Sequence, residues 1–200
     1  LSEDMEFIES LIEEGSDVNA VGEYGDTPLL EAINIGNINI VELLIKNNVD
    51  INRNYGKMAP ILCAALNGNK DIFELLEKNG ADINEIDDEG NNVLLDAAMS
   101  GSEELINYLL KIGLNINFKN NNRDNVLTLL MHRSFFDYQN LLIQESISDV
   151  NKIKTYENIA EMLINKGVDV NSVNLDKKSA LSYAVTINSK KIVELLIAKG

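Results

Sequence analysis

Cysteine is nearly absent from this chain. One Cys in 200 residues excludes an internal disulfide framework and a zinc site built from several thiolates. It also points to a cytoplasmic setting, where disulfides are rare. No stretch of about 18 apolar residues occurs, so no membrane-spanning helix is expected. Positive charge is scarce: 17 Lys+Arg stand against 32 Asp+Glu, a formal net charge of −15. Such a surface repels phosphate, which argues against a general grip on nucleic acid. Histidine occurs once, at His132, with no Ser, Cys or Asp placed to make it part of a nucleophilic set, so it reads as a solvent or contact residue. Cys63 reads as a packed or half-exposed thiol, since no base is in register with it. Phosphate-cradling Gly loops and paired acid/base carboxylates are missing as well. No catalytic residues, cofactor or metal are therefore expected. Yet 45% of the residues are hydrophobic and 24% charged, ordinary values for a folded chain of one or two domains.

Two patterns fill the space these absences leave. The first is charge: residues 1–100 hold 5 Lys+Arg and 21 Asp+Glu, whereas residues 101–200 hold 12 and 11. The second is repetition. Asp17-Val18-Asn19 returns as Asp50-Ile51-Asn52, Asp82-Ile83-Asn84, Asn115-Ile116-Asn117 and Asp169-Val170-Asn171, with the final Asn residues 33, 32, 33 and 54 positions apart. A second phrase keeps the same register: Thr27-Pro28-Leu29-Leu30-Glu31-Ala32, Ala59-Pro60-Ile61-Leu62-Cys63-Ala64, Asn92-Val93-Leu94-Leu95-Asp96-Ala97, then versions at 125–130 and 179–184. Gly36, Gly68, Gly101, Ser134 or Asn188 follows four positions later, and then an apolar stripe at helical spacing such as Ile38, Val41, Leu44 and Ile45.

These phrases resemble the ankyrin repeat, whose period is about 33 residues and whose signature reads T-P-L-H-x-A. The resemblance covers essentially the whole chain. It implies an all-α solenoid of stacked helix-turn-helix units with hairpin-like connections, because a lone repeat cannot bury its apolar face. The residues support that reading. Thr27 can cap an inner helix and Pro28 can open it without losing a hydrogen bond. Ala32, Ala64, Ala65, Ala97 and Ala98 let helices approach closely. A single domain is expected over 1–200, with a partial repeat at 1–20 and repeats at 21–53, 54–85, 86–118, 119–172 and 173–200.

The departures carry their own expectations. The signature His is replaced by Leu30, Leu62, Leu95, Thr128 and Ser182, so packing must replace its hydrogen bonds. Gly25 and Gly90 occupy the hairpin glycine position, but Lys57, Arg123 and Lys177 stand there in the other repeats. Those three hairpins are expected to adopt different backbone angles, since a left-handed conformation costs a residue with a Cβ about 1 kcal/mol or more. The fourth repeat holds about 21 extra residues. Either they are inserted around 134–155, as a helical extension followed by a turn near 146–154, or Asp149-Val150-Asn151 closes a degenerate repeat. The alternation of inner and outer helices favours the insertion. Glu85, Asp87, Glu89, Gly90 and Asp96 fall at calcium-loop spacings, but the first and last residues are of the wrong type, so they read as an acidic hairpin tip. Leu1 is not an initiator Met and the chain ends where another repeat phrase is due, so a longer natural chain is expected.

The resemblance also implies where a partner binds: hairpin tips and the inner-helix face form a concave groove. In this register the candidate partner-binding residues are Glu23, Tyr24, Asp26, Glu31 and Ile35; Tyr55, Met58 and Leu66; Asp88, Glu89, Asp96 and Met99; and Asp124, His132 and Arg133. Tyr and Met there are plausible anchors, and the acidic tips would steer a basic partner. The expected function is a monomeric, non-catalytic module for protein–protein interaction that takes a basic segment and neither nucleic acid nor membrane. The alternative is a targeting or regulatory domain of a larger enzyme or effector.

Overall fold

The computed structural model describes residues 3–54, 58–144 and 147–200. Eleven helices and no strands are found among them. The chain divides into two compact units, Leu1–Asp87 and Asp88–Gly200.

The first unit contains α1 (Glu3–Glu13), α2 (Pro28–Asn34), α3 (Ile38–Lys46), α4 (Pro60–Leu66) and α5 (Lys70–Lys78). Its helix starts follow local chemistry. The Leu30 N–H donates to Thr27 Oγ1 (3.2 Å), and Asn37 and Asn69 cap α3 and α5 through the N–H groups of Ile40 (3.2 Å) and Ile72 (3.1 Å). Pro60 opens α4, whose preceding residue Ala59 supplies no side-chain cap. Inner helices α2 and α4 lie side by side, and each packs against its outer partner, α3 or α5. The core between them is apolar: Leu29 and Ile33, Val41 and Leu44, Ile61 and Leu62, Ile72, Phe73 and Leu76 are all buried. Ala32, Ala64 and Ala65 are buried too, at the positions where small residues allow close approach.

The second unit contains α6 (Val93–Ser100), α7 (Glu103–Lys111), α8 (Val126–Gln144), α9 (Ile147–Asn165), α10 (Ala180–Thr186) and α11 (Lys190–Lys199). Inner helices α6, α8 and α10 stack in order, with α7, α9 and α11 behind them. Here α8 and α9 are each 19 residues long, against seven or eight for the other inner helices and nine or ten for their outer partners. The extra residues of the fourth repeat therefore lengthen both helices into a long antiparallel pair. The helical extension expected from the sequence is present. The turn expected over 146–154 is not found at 147–154, because α9 runs from Ile147 onward and the Thr155 hydroxyl donates to the Asn151 carbonyl (3.0 Å) inside it; Ser146 lies outside the described residues. Asp149-Val150-Asn151 is thus helical and closes no repeat. Leu130 and Met131 on α8 and Tyr156, Ile159, Ala160 and Leu163 on α9 are buried. Ser189 on the way into α11 donates to the Glu157 carboxylate, and Lys191 pairs with Glu161 (2.6 Å), tying α11 to α9.

The repeated Asp-x-Asn phrase has a structural reason that its spacing alone does not give. Within each phrase the Asn N–H donates to the side-chain oxygen two residues before, a carboxylate in Asn19 to Asp17 (2.9 Å) and Asn171 to Asp169 (3.0 Å) and an amide in Asn117 to Asn115 (2.9 Å). The Asn side chain is then free to reach the next repeat. Asn19 Oδ1 accepts from the Asp50 N–H (2.8 Å), Asn52 Oδ1 from that of Asp82 (2.9 Å), and Asn117 Oδ1 from that of Asp169 (2.7 Å). In each unit the phrase is a rung that fixes one repeat's register on its neighbour.

The missing His is replaced in two ways. Leu30, Leu62 and Leu95 are buried as packing residues. Thr128 and Ser182 make hydrogen bonds: the Thr128 hydroxyl donates to Asn125 Oδ1 (2.9 Å), and Ser182 completes a reciprocal cap with Ser179.

One expectation fails outright. Arg123 and Lys177 do not avoid the left-handed conformation; their φ angles are 63° and 59°, beside 78° and 79° for Gly25 and Gly90. Lys57 lies outside the described residues. The strain is held by asparagine. Asn120 Oδ1 accepts from the N–H groups of Asn122 (3.1 Å) and Asp124 (2.9 Å), and the Arg123 N–H donates to the Asn120 carbonyl (2.9 Å). Asn174 does the same for the last hairpin through Lys178 (2.9 Å) and Lys177 (3.0 Å). Arg123→Gly and Lys177→Gly should each stabilise the second unit by about 0.5–1 kcal/mol, the relief of strain less the added chain entropy of glycine. A higher urea midpoint is the expected result; an unchanged or lower one would show that these hairpins are unstrained.

Candidate functional site

The candidate residues separate by exposure. In the first unit, Glu23 and Glu31 are exposed, Tyr24 is 75% exposed and Ile35 is 68% exposed. Tyr24 sits on the hairpin that leads into α2, Glu31 lies on α2 itself, and Ile35 caps its C-terminal end. Asp26, Met58 and Leu66 are half-buried, and Tyr55 lies outside the described residues. Between α2 and α4 the exposed face is joined by polar contacts: the Cys63 thiol donates to Asn34 Oδ1 (3.1 Å), which also accepts from Asn67 Nδ2 (3.3 Å). Cys63 is therefore a buried link between neighbouring helices. The first unit holds 5 Lys+Arg and 18 Asp+Glu, a formal charge of −13, while the second holds 12 and 14, a charge of −2.

In the second unit Asp88 and Glu89 are exposed and Met99 is half-buried. Two acidic residues expected on the partner-facing surface are internal instead. Asp96 is 1% exposed within α6, and Asp124 is 1% exposed in its hairpin. Asp124 is occupied in holding hairpins together, since Oδ1 accepts from Asn174 Nδ2 (3.0 Å) and Oδ2 from Asn122 Nδ2 (2.7 Å). Neither carboxylate is available to steer a partner.

The hairpins of this unit are zipped through their backbones. The Asn121 N–H donates to the Glu89 carbonyl (3.0 Å) and its side-chain amide to that of Asp88 (3.1 Å). The Leu175 N–H donates in turn to the Asn122 carbonyl (3.0 Å). Tip side chains of this unit therefore stand on a braced edge.

Arg133 is exposed, with Nε 3.7 Å from Asp137 Oδ2. Both lie within reach of the Tyr156 hydroxyl, which burial holds above its usual pKa range. Arg133 thus braces α8 against α9. His132 is a contact residue within α8. Because α8 continues beyond it, its ring stacks on Tyr183 of α10 with centroids 5.0 Å apart, and lies 4.9 Å from Phe136. Phe135 completes the cluster at 5.9 Å from Tyr183. The cluster walls a cleft of about 360 Å³ between α8 and α10, which Ser182 and Thr186 line from α10 and Asp176 and Lys178 from the last hairpin. Sequence reasoning placed His132 on this face but gave no sign of the cleft. Its formation depends on the extra length of α8, which carries Phe135 and Phe136 past the usual end of an inner helix.

No helix among the described residues is long and apolar enough to cross a membrane. No curated protein matches the chain. The family model for ankyrin repeats in three copies matches residues 1–87 and again 61–154. With the capped helix pairs, the Asp-x-Asn rungs and the zipped hairpins, these matches make the chain a member of the ankyrin-repeat family.

Proposed function

We propose that the chain is a non-catalytic protein-binding module whose first unit captures a basic segment of a partner. Ankyrin repeats generally serve in protein–protein interaction, and the finer reading rests on one observation. Exposed apolar anchors, Tyr24 and Ile35, stand among exposed carboxylates, Glu23 and Glu31, in a unit of formal charge −13. A Tyr that is three-quarters exposed contributes little to the fold and much to an interface that covers it. The carboxylates steer a cationic partner and repel phosphate backbones.

Selection of a random peptide library on the full chain should enrich Lys/Arg-rich sequences. For a selected peptide, E23K/E31K should weaken binding about tenfold, mostly through slower association, and the loss should shrink at high salt. Enrichment of acidic or uncharged peptides, or unchanged affinity on charge reversal, would reject this reading.

A further inference from the structure

The cleft between α8 and α10 has a chemistry of its own, independent of the acidic first unit. We propose that it is a binding site for a single arginine side chain presented by a protein partner.

Size sets the first limit. At about 360 Å³ the cleft is at the small end of the roughly 300–1,000 Å³ typical of ligand pockets, so it suits one long side chain and not a helix. Its walls are the rings of His132, Phe135 and Tyr183, and aromatic faces attract a cation held close to them. The aliphatic hydroxyls that line it have already committed their protons. Thr186 Oγ1 donates to the Ser182 carbonyl (2.9 Å), and Ser182 Oγ donates to the Ser179 carbonyl (2.7 Å). What they can still offer a guest is acceptance, and the Asp176 carboxylate offers only acceptance. A guest rich in donors and lacking acceptors fits that lining, and the guanidinium carries five N–H donors in a flat fork.

Two carboxylates act on the back of the cleft. Burial raises the Tyr183 hydroxyl above its usual pKa range; a hydrogen bond from Asn174 works the other way, and the negative charges of Asp124 and Asp176 add to the rise. Lys178 is the one lysine in the lining, and it would compete with the guest for Asp176. Removing it should therefore tighten binding, an effect opposite in sign to the loss of any contact residue. Arginine is favoured over lysine because a flat, weakly hydrated cation can stack on rings and bond several acceptors at once.

The test is an amide-detected NMR titration of the 200-residue chain with N-acetyl-L-arginine methylamide, read without any partner and so independent of the peptide-capture experiment. Expected are shifts centred on Tyr183, Thr186 and His132 with millimolar affinity, and binding about tenfold weaker for the neutral citrulline analogue. Asp176 is exposed, so Asp176→Asn leaves the core intact and should weaken binding about fivefold. Lys178→Ala should strengthen it about twofold. No shifts at tens of millimolar probe, shifts centred elsewhere, or equal binding of citrulline would overturn the proposal. Equal or tighter binding of the lysine or phenylalanine methylamide would overturn it too, as would affinity unaffected by Asp176→Asn.

Discussion

Asn125→Ala is expected to destabilise the second unit by about 2–4 kcal/mol, although it removes only one small polar side chain. The residue is 0% exposed and makes three bonds. Its Oδ1 accepts from the backbone N–H and from the hydroxyl of Thr128, both at 2.9 Å, and its Nδ2 donates to the Asp169 carbonyl at 2.9 Å. The first bond caps α8, and losing such a cap costs about 1 kcal/mol. The second satisfies a hydroxyl that is itself buried, and the third joins two segments 44 residues apart. An orphaned buried polar group costs about 1–3 kcal/mol, more than a hydrogen bond between satisfied groups contributes. Asn125→Asp separates these contributions. It keeps the cap and the Thr128 hydroxyl bond, but it sets a carboxylate against the Asp169 carbonyl. Urea unfolding of the three proteins should rank them wild type, Asp, Ala. Hydrogen exchange should accelerate at the Thr128 amide in Asn125→Ala. A loss below 1 kcal/mol for Ala would show that water replaces the side chain and that the link to Asp169 is dispensable.

The same residue shows which features the sequence reveals and which it hides. The Asn125 cap is legible, because a capping side chain and the helix it starts are adjacent in the chain. The bond to Asp169 is not, because nothing local distinguishes an Asn that reaches across a 44-residue interval from one that faces water. The rungs made by Asn19, Asn52 and Asn117 are an intermediate case. Their period announces a structural role, but the donor on the next repeat appears only when the repeats are stacked. Asp96 and Asp124 were misread for a related reason. A carboxylate in an acidic chain looks like solvent-facing charge, and only the position of Asn122 and Asn174 around Asp124 shows that it is satisfied internally.

The long helices were within reach. From Asp124 to Lys166 the sequence contains neither Gly nor Pro. Every other inner-to-outer connection is marked by Gly or by the Asn188-Ser189 pair. The absence of any breaker at the usual position was the available signal that α8 continues through His132 to Gln144. A helical extension is expected from the sequence, but its unbroken continuation of α8 is not, and that continuity makes the aromatic cleft, since Phe135 reaches Tyr183 only because the helix does not stop.

Gly90→Ala is expected to destabilise the second unit by about 3 kcal/mol, and Gly167→Ala by only about 1 kcal/mol. Both glycines have a left-handed φ, 79° and 86°, so both substitutions carry backbone strain of about 1–2 kcal/mol, partly offset by the lower entropy of the unfolded alanine chain. They differ in what a methyl group would meet. At Gly167 nothing lies within 4 Å. At Gly90 the new Cβ would lie 2.5 Å from Asn121 Oδ1, 2.7 Å from its Cγ and 2.9 Å from its backbone N. The side chain could swing away, but the backbone N could not move without breaking its bond to the Glu89 carbonyl and drawing the side-chain amide from Asp88. The penalty beyond strain is then the loss of one or two hydrogen bonds, about 0.5–1.5 kcal/mol each, plus the displaced hairpin. Because the 120–124 hairpin also carries Asn122, whose carbonyl receives the Leu175 N–H, the disturbance should pass to the hairpin that borders the aromatic cleft. Amide exchange at Asn121 and Leu175 should therefore accelerate in Gly90→Ala and stay unchanged in Gly167→Ala. Equal destabilisation by the two substitutions would mean that the hairpins yield freely to one another, and that the zipped edge does not brace the tip residues.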